Sequence, residues 1–337
     1  MNNIALGHGA GGKIMHQLIS NIVTKGISNP ILNRFDDSAV FENQGSSRLA
    51  FTTDSFVVSP LFFKGGDIGK LAVCGTVNDL AMSGATCKYL SLSFIIEEGF
   101  SIDELNKICT SIKECTEEAG VQIITGDTKV VEKGKGDGLF INTSGLGFIE
   151  NDNLKISSHV VKAGDAIILS GYLGDHEMSI LSARREYEIE LDIASDVSPL
   201  NGVIKSLHKF EDKIHCLKDP TRGGLASALN EISYNSNINI EINEEQIPIR
   251  KETLGTCDLL GFDPLYLANE GKFICVCSQD IANEVLKELK KHPYGEHAAI
   301  IGNVIKTEDK PRVFLNTTFG GKRIVQMLSG VQLPRIC

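Results

Sequence analysis

A two-domain α+β fold is predicted by three features of the sequence. Its 337 residues exceed what one typical core organises. Short apolar runs alternate with amphipathic stretches in both halves, and a polar, aperiodic segment over 150–158 separates them. In the first half, strands are predicted over 49–53, 89–96, 121–125 and 139–148. A helix is predicted over 101–119, where Ser101 and Glu104 form a capping-box pattern and Leu105, Ile108, Ile112 and Cys115 share one face. The second half predicts strands over 166–169, 272–277, 298–305 and 312–315. Helices are expected through Met178, Leu181 and Arg185, over 225–234 and over 281–291. Domains are expected at 1–153 and 154–330. Residues 331–337, with Pro334 and no periodicity, read as a mobile extended tail.

Composition narrows the function classes. Hydrophobic residues make up 42% and charged residues 23%, as in ordinary globular proteins. A net charge of −10 argues against nucleic acid or an anionic membrane as the partner, since those need clustered Lys and Arg. The opening MNNIALGHGAGGK has no basic segment followed by an apolar one, and no later run reaches bilayer length, so a cytoplasmic location is expected. Among nine cysteines there is no C-x-x-C pair. Cys74, Cys87, Cys109, Cys115, Cys257, Cys275 and Cys277 lie in apolar patterns and read as buried reduced thiols; Cys216 is ambiguous. Eight scattered histidines lack paired ligand spacing, which weakens a metallochaperone or scaffold reading. Cys337 stands apart because it is the last residue, with no packing reason to be cysteine.

Several segments point to phosphate chemistry. In GHGAGGK, Gly7, Gly12 and Lys13 satisfy most of a phosphate-loop pattern, but Ile14 replaces the metal-binding hydroxyl. The loop reads either as a turn starting a helix of Ile14, Leu18 and Ile22, or as an anion contact. Asp36, Asp37, Asp54, Asp79 and Asp127 lie in hydroxyl- or glycine-rich settings beside apolar elements. Carboxylates converging at one sheet edge hold hard cations or repel one another. ITGDTKVV sets Lys129 two residues beyond Asp127, KDPTRGGLASAL carries Asp219 and Arg222 into a helix, and FDPLYLANEGKF isolates Glu270 before a buried strand.

GDTK, DPTRGGL, LANEGK and TTDSFVVSPLFFKGGDIGKLAVCGTVNDLAMSGA together resemble the aminoimidazole ribonucleotide synthetase (PurM-like) superfamily of ATP-dependent enzymes, over nearly the whole chain. The GHGAGGK opening with the terminal PRIC is similar to the HypE family of hydrogenase-maturation carbamoyl dehydratases. The resemblance implies two α+β domains and a homodimer whose N-terminal strands pair across subunits. It implies magnesium at Asp37, Asp54, Asp79 and Asp127, with Asp36 beside them. Nucleotide contacts would come from Gly11, Gly12, Lys13, Thr53, Asn78, Gly126 and Thr128, and the catalytic pair would be Lys129 and Glu270. Thr125 stands where a glycine is common in the superfamily. Cys337 matches the cysteine that receives a carbamoyl group from the HypF carbamoyltransferase, with the HypC–HypD complex as acceptor of the cyanide. The chemistry expected is ATP-dependent dehydration of S-carbamoyl-cysteine to thiocyanate. Selenophosphate synthetase and thiamine-monophosphate kinase are alternatives with the same ATP site; the former wants cysteine or selenocysteine in the opening loop, and here the first cysteine is Cys74.

Overall fold

The computed structural model describes residues 4–23, 29–42, 48–184, 188–330 and 332–337, arranged around two large sheets. The first half contains α1 (Lys13–Leu18), β1 (Ala39–Glu42), β2 (Arg48–Phe56), β3 (Phe62–Phe63), β4 (Gly66–Asp67), α2 (Ile68–Met82), β5 (Thr86–Glu97), α3 (Ile102–Ala119), β6 (Gln122–Val131) and β7 (Leu139–Ile149). The second contains β8 (Ala166–Leu169), α4 (Asp175–Ala183), α5 (Asn201–Leu207), β9 (Ile214–Lys218), α6 (Gly224–Ser236), β10 (Asn239–Asn243) and α7 (Lys251–Leu260). It ends with β11 (Ile274–Cys277), α8 (Ala282–Leu289), β12 (Ala299–Ile305), β13 (Val313–Asn316) and β14 (Lys322–Val325).

The first sheet has the order β1-β2-β7-β5-β6, with only β5 and β6 parallel. Along β7, buried and half-buried residues alternate at every step, the two-residue period of a strand with one face in a core. The second sheet runs β14-β13-β10-β12-β8-β11-β9, with only β10 and β13 parallel. The Ser101 hydroxyl caps α3 by accepting from the Glu104 amide at 3.4 Å, and Gly120 ends it at φ +68°. Its buried face is Ile108, Ile112, Cys115 and Ala119.

Helix α2 matters most for the site. Asp67 starts it, accepting from the amides of Gly69 at 2.7 Å and Lys70 at 3.0 Å. Nearly every residue after that is buried, so α2 is a core helix between the first sheet and the second half. Gly75 permits this closeness: a Cβ there would stand 2.9 Å from the Phe56 ring.

Two expectations are overturned. Cys109 is exposed on the outer face of α3 rather than buried. The tail is not mobile but docked: the amides of Val57 and Ser59 donate to carbonyls of Cys337 (3.1 Å) and Arg335 (3.2 Å), and Leu333 and Ile336 are buried. A segment shows no periodicity when its polar groups are satisfied by distant chain, as where the Arg335 guanidinium donates to the Val57 carbonyl 278 residues away. Helix α4, although in the second half by sequence, sends Met178, Ile180 and Leu181 into the first domain's core beside Ile336. No helix among the described residues is long and apolar enough to cross a membrane.

Candidate active site

The seam between the halves opens into a cavity of about 860 Å³. Its walls include Asp36, Asp37, Asp54, Asp79, Glu270 and Cys337, so the tail thiol and most of the singled-out carboxylates share one space. Gly11, Gly12, Lys13 and Thr53 line it too. Asp54 comes from β2, Asp79 from the last turn of α2, and Glu270 from the loop before β11. Asp79 accepts a hydrogen bond from the Thr52 hydroxyl at 2.8 Å, which ties α2 to β2 at the cavity wall.

The electrostatics are those of crowded acids. Burial, then repulsion from Asp219, Asp54 and Asp37, pushes the Asp79 carboxyl well above its ordinary range. Burial also raises Asp54, opposed by the Arg222 guanidinium. Asp219 is pushed up to about 7, by burial first and by Asp37 second. Glu270 is only 4% exposed, and its Oε1 has no hydrogen-bond partner. Burial and the charges of Asp219, Asp196 and Asp54 raise it well above the usual carboxylate range, with Arg222 working against them. The Cys337 thiol is pushed up to about 12 by burial, again opposed by Arg222.

Other expected residues have different roles or places. Asp36 clasps the interdomain segment, accepting from the hydroxyls of Ser157 and Ser158, each at 2.9 Å. Asp37 is ion-paired with Lys218, whose ammonium also lies 3.1 Å from Glu231. Burial would lower Lys218, but Asp37 and Glu231 outweigh it and hold the lysine protonated. Asn78 points away from the cavity into the domain interface, where its side chain bonds Ser198, Glu270 and Leu200 backbone. The glycine loop is close-packed: a Cβ on Gly11 would lie 2.5 Å from the Arg222 carbonyl oxygen and one on Gly12 2.0 Å from that of Leu328. The Lys13 amide already donates to Leu328 at 2.8 Å, so it is not free for an anion.

Gly126, Asp127, Thr128 and Lys129 do not reach this cavity within one chain. They lie inside β6 rather than at a strand end, and β7 and β5 separate β6 from β2. Three inter-strand steps put Asp127 roughly 14 Å from Asp54 across the sheet. Asp127 instead pairs with Lys129 at 2.5 Å on the exposed strand, which lowers its carboxyl below the ordinary value. Gly126 serves the pairing of β5 and β6, because a Cβ there would stand 2.3 Å from the Leu92 carbonyl oxygen. Among the described residues no three His, Cys, Asp or Glu side chains form a ready-made metal site. Asp54, Asp79 and Asp219 nevertheless present oxygen donors that crowd one another, with Arg222 opposing the rise at Asp54 and Lys218 that at Asp219. Lys218, Asp219 and Arg222, all carried by the KDPTRGG run that points to phosphate chemistry, also line the cavity, although the sequence assigns none of them a specific role.

Comparison with known proteins places this architecture. Residues 35–149 match the family AIR synthase related protein, N-terminal domain, and residues 162–313 match the corresponding C-terminal domain. The chain is 48% identical over 335 residues to the carbamoyl dehydratase HypE of Rhizobium leguminosarum bv. viciae, covering 99% of this chain and 95% of that one. A HypE–HypF complex structure superposes with a TM-score of 0.87 at 45% identity, covering 92% of this chain and 99% of its counterpart. A HypE structure in complex with ATP gives 0.83 at 45% identity, with 99% and 100% covered. This chain therefore belongs to the HypE carbamoyl dehydratase family of AIR synthase-related proteins.

Proposed function

We propose that this chain uses ATP to dehydrate a carbamoyl group carried on its own Cys337, leaving a protein-bound thiocyanate that supplies cyanide to a NiFe-hydrogenase iron centre. The observation that carries this reading is the seating of Cys337 on the wall of the cavity that holds Glu270, Asp54 and Asp79. Relatives named carbamoyl dehydratase, and one solved with ATP, support it.

The thiocarbamate oxygen attacks the γ-phosphorus of ATP and the bond to ADP breaks. The nitrogen loses one proton as the C=N bond forms; loss of the second expels phosphate, which keeps the carbamoyl oxygen, and leaves the nitrile. Glu270, aimed into the cavity with an unpartnered oxygen, is the base at that nitrogen. Burial and the neighbouring acids raise its proton affinity, which makes the ionised carboxylate a stronger base than an exposed one. Arg222, facing Cys337, Asp54 and Glu270, holds the phosphorylated oxygen's charge. The donor chemistry fits magnesium, which is commonly held by one or two carboxylates plus phosphate oxygens; Asp54 and Asp79, with Asp37 once it leaves Lys218, are the ligands we assign. Bound there, the ion would offset charge on the transferring phosphoryl group.

A protonated thiol is a poor nucleophile, so HypF loads Cys337 in an undocked state and the tail redocks for dehydration. The HypC–HypD complex then takes the cyanide. Asp127 and Lys129 act on a cavity only if a second copy brings them there. The exposed β6 edge, with Ile124 62% and Val130 68% exposed, supports a homodimer joined through these strands.

The test is mass spectrometry of the C-terminal peptide of carbamoylated protein, before and after ATP and magnesium. Loss of one water from Cys337 is expected, with no adduct in Cys337→Ala. Glu270→Gln should bind nucleotide but retain the carbamoyl group. A carbamoylated tail that ATP leaves unchanged would sink the reading.

A further inference from the structure

Residues 334–337 run between two walls that together take their carbonyls. One wall is the main chain just beyond β2, which takes the carbonyls of Arg335 and Cys337. The other is α4: His176 Nε2 donates to the Ile336 carbonyl at 2.7 Å, and Arg184 donates to those of Pro334 at 2.5 Å and Arg335 at 2.8 Å. Arg335 itself sits at φ +53°, a left-handed conformation that non-glycine residues hold only when their surroundings enforce it. Its guanidinium donates to the Val57 carbonyl at 2.9 Å and pairs with Asp137.

His176 differs from the other contacts. It is fully buried, packed edge-on against Phe63 with ring centroids 5.5 Å apart. Its Nδ1 lies 2.8 Å from the Ser195 hydroxyl oxygen. That oxygen accepts from the Val197 amide at 3.1 Å, so the hydroxyl hydrogen is available to Nδ1. The ring's own hydrogen then belongs on Nε2, the nitrogen facing the tail. Burial lowers the imidazole's proton affinity and keeps the ring neutral, although Asp196 works the other way. The carbonyl it holds belongs to the last peptide unit before Cys337. Rotation of that unit redirects the Cα–Cβ bond of Cys337, which no contact at Pro334 or Arg335 controls as directly.

We propose that His176, fixed as the Nε2–H tautomer by Ser195, is a positioning residue that seats the last peptide unit and aims Cys337 into the acidic cavity. Its purpose rests on the dehydratase reading; its geometry does not. The clasp shields the free thiol while aligning the loaded one, so its loss has effects of opposite sign on the two.

The test uses the full-length protein and two readouts. The first is alkylation by iodoacetamide, scored as Cys337 labelling relative to the exposed Cys109 in the same molecule. The second is single-turnover dehydration of a preloaded tail, compared with the rate of carbamoyl loading. Loss of one buried hydrogen bond predicts that His176→Leu raises relative labelling of Cys337 about tenfold and slows dehydration about tenfold. Loading should not slow. His176→Gln, whose amide can reach the same carbonyl, restores both, and the milder Ser195→Ala moves both in the direction of His176→Leu. Unchanged labelling in His176→Leu and Ser195→Ala overturns the clasp. Equal slowing of loading and dehydration, unrelieved by glutamine, also overturns it and leaves a purely structural role. If the wild-type loaded tail does not dehydrate, the dehydratase reading fails while the labelling result still decides the clasp.

Discussion

The Asn78 side-chain amide donates to the backbone carbonyl of Glu270 at 3.3 Å, so the helix carrying Asp79 holds the loop carrying the candidate base. The same nitrogen donates to Ser198 at 3.1 Å, and Asn78 Oδ1 accepts from the Leu200 amide at 2.8 Å. One buried side chain thus fixes the relative position of two cavity residues from different halves of the chain.

Asn78→Ala should therefore destabilise the protein by about 3 kcal/mol, because three buried backbone groups lose their partner at once. Denaturant unfolding checks this. A loss under about 1 kcal/mol, in the range of ordinary surface substitutions, would contradict the bracket role.

Asp79→Asn should abolish ATP turnover without lowering stability at pH 8. The carboxyl's folded value is raised, so the folded state binds more protons than the unfolded one above about pH 4. Stability therefore falls as pH rises through that window in the wild type. The variant lacks this loss, and denaturant midpoints measured from pH 5 to pH 8 should fall less steeply.

Glu177 gives a pH prediction free of the catalytic reading. It is 3% exposed, its Oε2 accepts from the Ala268 amide at 2.7 Å, and Oε1 has no partner. Burial raises its carboxyl from the ordinary 4.5 to about 7. The folded state holds the proton longer, so stability declines between those two values and levels off above the higher. Glu177→Gln should remove the decline and gain on the order of 3 kcal/mol at pH 8. Parallel pH–stability curves for the two proteins would refute it.

Ile124→Lys places charge on the exposed face of β6 without touching either core. If a second copy pairs there, light scattering should report a monomer and ATP turnover should fall at least tenfold. A dimer of unchanged affinity would move the interface elsewhere.

Much of the secondary structure is legible in local sequence signals. Ser101 and the apolar face behind it gave α3 to within a residue, and LAFTTD, VQIITGD and the 139–148 run gave strands of the first sheet. The acidic cavity was partly legible, since Asp36, Asp37, Asp54, Asp79, Glu270 and Cys337 do share it. Pairings across great sequence distance were not. Lys218 meets Asp37 across 181 residues, and no local pattern announces it. Within one chain Asp127 lies apart from Asp54, because strand order, not strand sequence, sets their separation.

The docked tail also has a kinetic meaning. A partner approaching Cys337 competes with a ligand that is part of the same chain and therefore present at an effective concentration on the order of millimolar. The apparent affinity of any loading enzyme is reduced by the fraction of time the tail is out. Changes that loosen residues 334–337 should thus speed encounter with partners and slow the chemistry at home. The chain's last four residues set the exchange rate between the two.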